Sequence, residues 1–221
     1  KFDDWHLKGK VYNFWSEGSE EFWGSGNKGA SILRSITTPD ETNTWDGKAG
    51  TSVKMESIYA LVKFAAGNLF AGYWYGFAEG SMTDGHLKFG RPFTERPTKL
   101  TGYYKYTTGT INQMDKGSDK YDELYPLLKD KDDTCIIWVA LGDWDAPIDI
   151  TAKTSSKRKM FDPNDSHVIA YGEFTQGKTI HNFERFSVEL EYRDTYRVPK
   201  YLIVVCSSSK YGDYFFGSDQ S

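Results

Sequence analysis

Much of the chain alternates apolar and polar positions with a period of two, the spacing of a strand buried on one face. The clearest case is 183–193, where Phe186, Val188, Leu190 and Tyr192 share one face and Ser187, Glu189, Glu191 and Arg193 the other. Between 51 and 62, Val53, Met55, Ser57, Tyr59 and Leu61 fall on one side, opposite Lys54, Glu56 and Ile58. From Lys99 a strand places Tyr104 and Tyr106 on one face and Tyr103 and Lys105 on the other. The stretches 135–141 and 201–206 are apolar throughout, the pattern of strands covered on both faces. Residues 69–77 form an aromatic run broken by glycines, which suits a strand beside a close backbone neighbour. Shorter strands are predicted at Val11–Trp15 and His167–Phe174.

Helical periodicity is almost absent. Pro92 and Pro97 exclude a helix from 90–98. The charged stretch 115–134 contains Pro126, so at most one helical turn is predicted around Tyr121–Leu124. Gly24–Ala30 reads Gly-x-Gly-x-x-Gly-Ala with Asp46 about twenty residues on, the spacing of a dinucleotide loop. That reading needs a long helix after the loop and repeated strand–helix units. The segment Ser31–Thr38 is instead short, β-branched and stopped by Pro39, so a plain loop is expected. Many strands joined by Gly and Pro turns predict an all-β fold, a jelly-roll β-sandwich, as a single domain over 1–221. The length suffices for a substantial core.

Composition narrows the function. A net charge of −4 and a pI near 5.6 argue against a nucleic-acid partner, which needs a basic stripe. No apolar run reaches the length of a transmembrane segment. The chain opens at Lys1 without a signal-peptide pattern, so a trimmed or mature fragment is expected, with room for a lipid anchor or second domain N-terminal to it. Cys135 and Cys206 sit in apolar strands, and buried free thiols are expected ahead of the alternative, a disulfide between them.

Catalytic signatures are few. His6, His86, His167 and His181 lack short metal-ligand spacing, and neither His-Glu-x-x-His nor Gly-x-Ser-x-Gly occurs. Ser207–Ser209 beside Lys210 has no identifiable base and reads as turn chemistry. Glu56, Glu79, Asp143, Asp145, Glu173 and Asp213 are candidates for the carboxylate pair of a glycosidase, without a sequence reason to choose among them. Asp3, Asp4 or Asp219 could ligate a structural calcium ion, but no EF-hand-type loop exists and metal stays unassigned. Sugar binding has more positive support, because aromatics reach 16% with seven Trp. Tyr and Trp join an apolar face to a polar tip. Trp74, Tyr75, Tyr103, Tyr104 and Trp144 are the candidate rings, and Arg91, Arg96, Lys105 and Asp213 the candidate hydroxyl partners. Each ring also fits plain core packing. Trp144, between Asp143 and Asp145 in a predicted loop, is expected to face solvent, as is Tyr103.

Four segments carry a family resemblance: Phe89–Tyr106, Val168–Phe174, Phe186–Arg193 and Ser207–Phe215. Their Arg-Pro-x-x-Leu-x-Gly-Tyr-Tyr-Lys-Tyr and Ser-Ser-Ser-Lys-Tyr-Gly-Asp motifs are long and specific. The chain resembles the PCMD family, the "putative carbohydrate metabolism domain" of Bacteroidetes surface and periplasmic proteins. The resemblance implies a jelly roll akin to galactose-binding and carbohydrate-binding modules, a glycan partner, and a periplasmic or outer-surface location. Two other roles stay open, a glycoside hydrolase and a structural module of a surface lipoprotein complex. Family members usually continue past Gly217–Ser221 into a further strand with an acidic pair, so the final strand is expected to be missing after Ser221 or replaced by a partner.

Overall fold

The computed structural model describes residues 2–60, 63–82, 84–112, 114, 116–151 and 158–214. The first half contains β1 (His6–Lys8), β2 (Val11–Asn13), β3 (Trp23–Gly24), α1 (Asn27–Ala30), β4 (Thr37–Asp40), β5 (Ser52–Met55), β6 (Ile58–Ala60), β7 (Lys63–Ala65) and β8 (Asn68–Phe77). It continues through β9 (Gly85–Phe89), β10 (Arg91–Pro92) and β11 (Lys99–Tyr106). The second half adds α2 (Tyr121–Leu128), β12 (Cys135–Gly142), β13 (Ile148–Thr151), β14 (Val168–Gln176), β15 (Ile180–Glu189), β16 (Glu191–Tyr192) and β17 (Tyr201–Ser207).

Strand β12 is apolar at almost every position, so both its faces need cover, and every residue in it is buried. It lies between β17 and β14 in an antiparallel sheet ordered β13-β9-β8-β17-β12-β14-β16, with β3 on β8 and β10 on β17. On one face Ile136, Trp138 and Ala140 join Ile203 and Val205 of β17. Phe70, Phe89, Ile150 and Phe161 complete that core, and Phe161 stacks on Trp138 at 4.5 Å. On the other face Ile137, Val139 and Leu141 meet Val204, Val188 and Leu190. The β11–β15 pair covers this second face, making an all-β sandwich, as the sequence predicts. From β15 into β16 the predicted alternation holds, with Val188 and Leu190 buried and Ser187, Glu189 and Glu191 exposed. Past Glu189 the chain passes directly into β16, which pairs with β14. A Cβ at Gly172 would overlap the Glu189 carbonyl, so glycine is required where the layers meet.

Four local expectations change. The predicted strand at 51–62 breaks at Glu56–Ser57, because the Ser57 hydroxyl bonds Ser208 Oγ at 2.7 Å inside the core. Two consecutive buried residues, Ser57 and Ile58, reverse the phase, so Ile58 is buried and Tyr59 exposed; Leu61 lies outside the described residues. Helix α2 runs two turns through Pro126. Tyr121, Leu124, Tyr125 and Leu128 form a stripe against Phe64, Ile111 and Met114, and that burial outweighs the cost of an interior proline. The Gly24–Ala30 segment includes a single helical turn, α1. Its Gly29 lies under a ring, since a Cβ there would sit 2.7 Å from Trp74, so the glycine serves packing.

Trp144 is the fourth. It is 7% exposed and belongs to the first core, folded back over Gly142 and edge-on to Phe161. Its neighbours face outward and are paired: Asp143 with His167 and Arg197, Asp145 with Lys200 at 2.7 Å. The carboxylates made this stretch look like surface, whereas ion pairs hold them at the rim above a buried indole. No helix among the described residues is long and apolar enough to cross a membrane. The strand expected to be missing after Ser221 falls outside the described residues.

Leu190→Ala should cost about 2–5 kcal/mol of unfolding free energy, while Glu191→Ala stays within about 0.5 kcal/mol of wild type. Urea titrations of the two variants check this. Trp144→Ala should cost about 3–5 kcal/mol and lower Tm by roughly 6–20 °C, measurable by calorimetry.

Candidate functional site

Where the β11–β15 layer parts from the β4–β5 hairpin, a cleft of about 1160 Å³ opens. Its inner wall is the second face of the large sheet, including Leu69, Ile137, Val204 and Cys206. Its sides are β5 with the loop 41–51, and β11. Burial drives the Cys135 thiol up to about 11 and the Cys206 thiol up to about 12. Both are free and protonated at neutral pH, so they act as wall atoms, not nucleophiles.

The loop is organised by its own polar residues. The Asp40 carboxylate accepts hydrogen bonds from the backbone and side chains of Thr42 and Asn43. Partial burial alone would raise this carboxyl, but those bonds outweigh it and hold its pKa below the ordinary value. Ser52 Oγ donates to the Asn43 carbonyl at 2.6 Å, and Thr44 Oγ1 to that of Lys48 at 2.6 Å. Gly47 turns the chain with φ +66°. At the apex Trp45 lies flat on Tyr103 of β11, ring centroids 4.1 Å apart and planes 8° from parallel. The rings remain 49% and 42% exposed. Beside them Lys105 Nζ donates to Asn43 Oδ1 at 2.9 Å and lies over the Phe183 ring.

Of the residues singled out from sequence, the cleft gathers Tyr103, Tyr104 and Lys105. Tyr104 turns inward, edge-on to Phe174, and its hydroxyl accepts from Gln176 Nε2. None of the other sugar-binding candidates lines the cleft, although Glu56, one of the candidate carboxylates, does. Trp74 packs against Gly29, Gly85 and Phe77. Tyr75 is 62% exposed but lies on β8 against His86, with Lys88 over its ring. Arg91 donates to the carbonyls of Phe22 and Gly72, and Arg96 to those of Asp194 and Arg197, so both guanidinium groups clamp backbone. Asp143 is ion-paired, and Asp213 sits in the turn at Gly212–Tyr214, where its carbonyl accepts from Arg158. Trp45, absent from the sequence candidates, is the ring that completes the site. Its signal is local: a tryptophan set in Asn-Thr-Trp-Asp-Gly, a turn-forming sequence.

The cleft carboxylates are poor proton donors. Glu56 is bound by both terminal nitrogens of Arg34 and by Lys54, which bring its pKa to about 2. Outside the cleft, burial opposes ionisation of Glu173, yet bonds from Tyr171 and Lys210 lower its pKa overall. Among the described residues no group of three His, Cys, Asp or Glu side chains is placed to hold a metal ion. Asp3 Oδ1 accepts from the Thr51 amide and Asp4 Oδ1 from Ser16, while Asp219 lies outside the described residues.

No curated protein matches this chain. Two crystal structures are similar in fold, each described as "a putative glycoside hydrolase". That from Bacteroides thetaiotaomicron VPI-5482 is 22% identical, with a TM-score of 0.68, covering 99% of this chain and 66% of its own. That from Bacteroides vulgatus ATCC 8482 is 20% identical, with a TM-score of 0.65, covering 99% of this chain and 91% of its own. This chain therefore spans 66% of the length of the first structure. A sequence model of the family described as "Putative carbohydrate metabolism domain" matches residues 1–221, and the chain belongs to that family.

Proposed function

We propose that residues 1–221 act as one glycan-binding domain whose site is the cleft beneath Trp45 and Tyr103. The observation that carries this reading is the half-exposed ring stack at the cleft mouth, next to Lys105 and Asn43. A sugar ring has apolar C–H faces and a polar rim, so it needs a flat aromatic surface with a few hydrogen-bonding groups at its edge. Concave sites with sparse, placed polar groups work in this way. The loop bonds through Asp40, Thr44 and Ser52 fix the indole before ligand arrives, which reduces the entropy lost on binding. Membership of a carbohydrate metabolism family supports a sugar over other flat ligands.

A second reading, glycoside hydrolysis, draws support from the description of the two similar structures. Hydrolysis needs a carboxylic acid that stays protonated near neutral pH. In the cleft, Asp40 and Glu56 are both held below the ordinary carboxylate range, which favours binding without catalysis. The resemblance to a Bacteroidetes family and the Bacteroides origin of the similar structures support a periplasmic or outer-surface location.

Trp45→Ala and Tyr103→Ala should each weaken glycan binding by about 30-fold or more, the ~2 kcal/mol of an anchoring ring. Their Tm values should fall by no more than about 6 °C, since a ring pair contributes about 0.5–1.5 kcal/mol beyond its burial. A glycan array followed by calorimetric titration measures this, and unchanged affinity in both variants overturns the site. A reducing-sugar assay on each retained glycan should show no release over buffer. Release that Glu56→Gln abolishes would make the domain a hydrolase.

A further inference from the structure

Resting on the glycan-binding reading, we infer that the cleft selects an acidic glycan, with an anionic sugar substituent seated against Lys105. The domain carries a net charge of −4, and several of its cations have acidic partners. Lys88 pairs with Asp149, Lys200 with Asp145 and Lys210 with Glu173. On the far wall of the cleft, Lys54 and Arg34 both hold Glu56.

Lys105 differs. Its ammonium group donates to the neutral amide oxygen of Asn43 at 2.9 Å and lies over Phe183, and no carboxylate pairs with it among the described residues. An ammonium group has three donors, so this one keeps capacity for an anion. A second cation stands near. Arg185 lies directly across the β11–β15 ladder from Tyr103, hence on the same face of the pair as Tyr103. It is exposed and has no hydrogen-bond or ion-pair partner among the described residues. The ring stack is thus flanked by Lys105 on its own strand and Arg185 on the neighbouring one. Neutral sugars need no such charge, and Asp40, a carboxylate of the cleft, directs its oxygens to Thr42 and Asn43, not to Lys105. A sugar resting on Trp45 or Tyr103 would bring a ring substituent within reach of Lys105. A carboxylate or a sulfate ester there would form a charge-assisted hydrogen bond, the strong kind.

The test is retention and calorimetric titration of the whole chain on polygalacturonate, alginate, ι-carrageenan, methyl-esterified galacturonan, galactan and xylan. Polygalacturonate and alginate present carboxylates, carrageenan presents sulfates, and the last three are uncharged. At least one charged polymer should bind more tightly than every uncharged one. Lys105→Gln should weaken that binding by about tenfold or more, as loss of a charged hydrogen bond requires. Lys105→Arg should retain most of it, with the Tm of both variants close to wild type. Raising salt from about 50 mM to about 500 mM should weaken wild type more than Lys105→Gln. Tighter binding of an uncharged polymer, or acidic binding indifferent to Lys105→Gln, overturns the inference. If uncharged polymers bind and Trp45→Ala abolishes it, the glycan reading stands without the acidic preference. If wild type retains none of the six, both fall.

Discussion

Cover for both faces of β12 is the condition on which the architecture depends. A strand reading Cys-Ile-Ile-Trp-Val-Ala-Leu has no side to give to water, so two separate layers must be brought to it. β17, equally apolar, extends the problem sideways, and the two strands form a double-faced slab. One face is covered by aromatics from β8, β9 and the segment around Phe161. The other is covered by β11 and β15, a pair too small to span the whole sheet. The cleft lies where that cover ends. It results from covering a wide sheet with a narrow ribbon, and the apolar character of its inner wall is inherited from the core.

Chemistry is added at the margin of this frame by polar residues. The turn after β4 is held by Asp40, Thr44 and Ser52 and carries Trp45 onto Tyr103. The same polar strategy appears at the opposite margin with a different result. There Arg197, His167 and Lys200 hold Asp143 and Asp145 outward, leaving Trp144 to pack inward. In one place the hydrogen bonds support an exposed ring; in the other they close a lid of charge over a buried one.

These two tryptophans mark how far the sequence could be read. The strand periods of β12, β15 and β17 were legible because they record burial, and burial is decided over many residues. The faces of β11 were legible for the same reason, Tyr103 and Lys105 outward and Tyr104 inward. Asn-Thr-Trp-Asp-Gly and Gly-Asp-Trp-Asp, however, offer the same local signal, a tryptophan among turn residues and carboxylates. What separates them is Gly142, whose missing side chain leaves room for the indole of Trp144 to fold back, and a set of cations distant in sequence. Helix α2 was obscured by Pro126 because the partners of its apolar stripe, Phe64 and Tyr211 among them, come from far along the chain. Ser57 upset its strand through Ser208, 151 positions away.

The register of β11 on β15 has a kinetic meaning. Lys99 pairs with Glu189 and Tyr106 with Ile180, so the ribbon closes a loop holding α2 and three strands of the main sheet. Such non-local pairing is slow, because chain entropy is lost before contact energy is gained. During synthesis β11 emerges well ahead of β15 and remains a tyrosine-rich strand with both edges unpaired. A two-stranded ribbon has little stability alone, so it can settle only on a sheet face already made by β12 and β17. β17 comes after β15 in the chain. The cleft therefore forms late among the features of this domain, and a nascent chain acquires it only once β17 has been made.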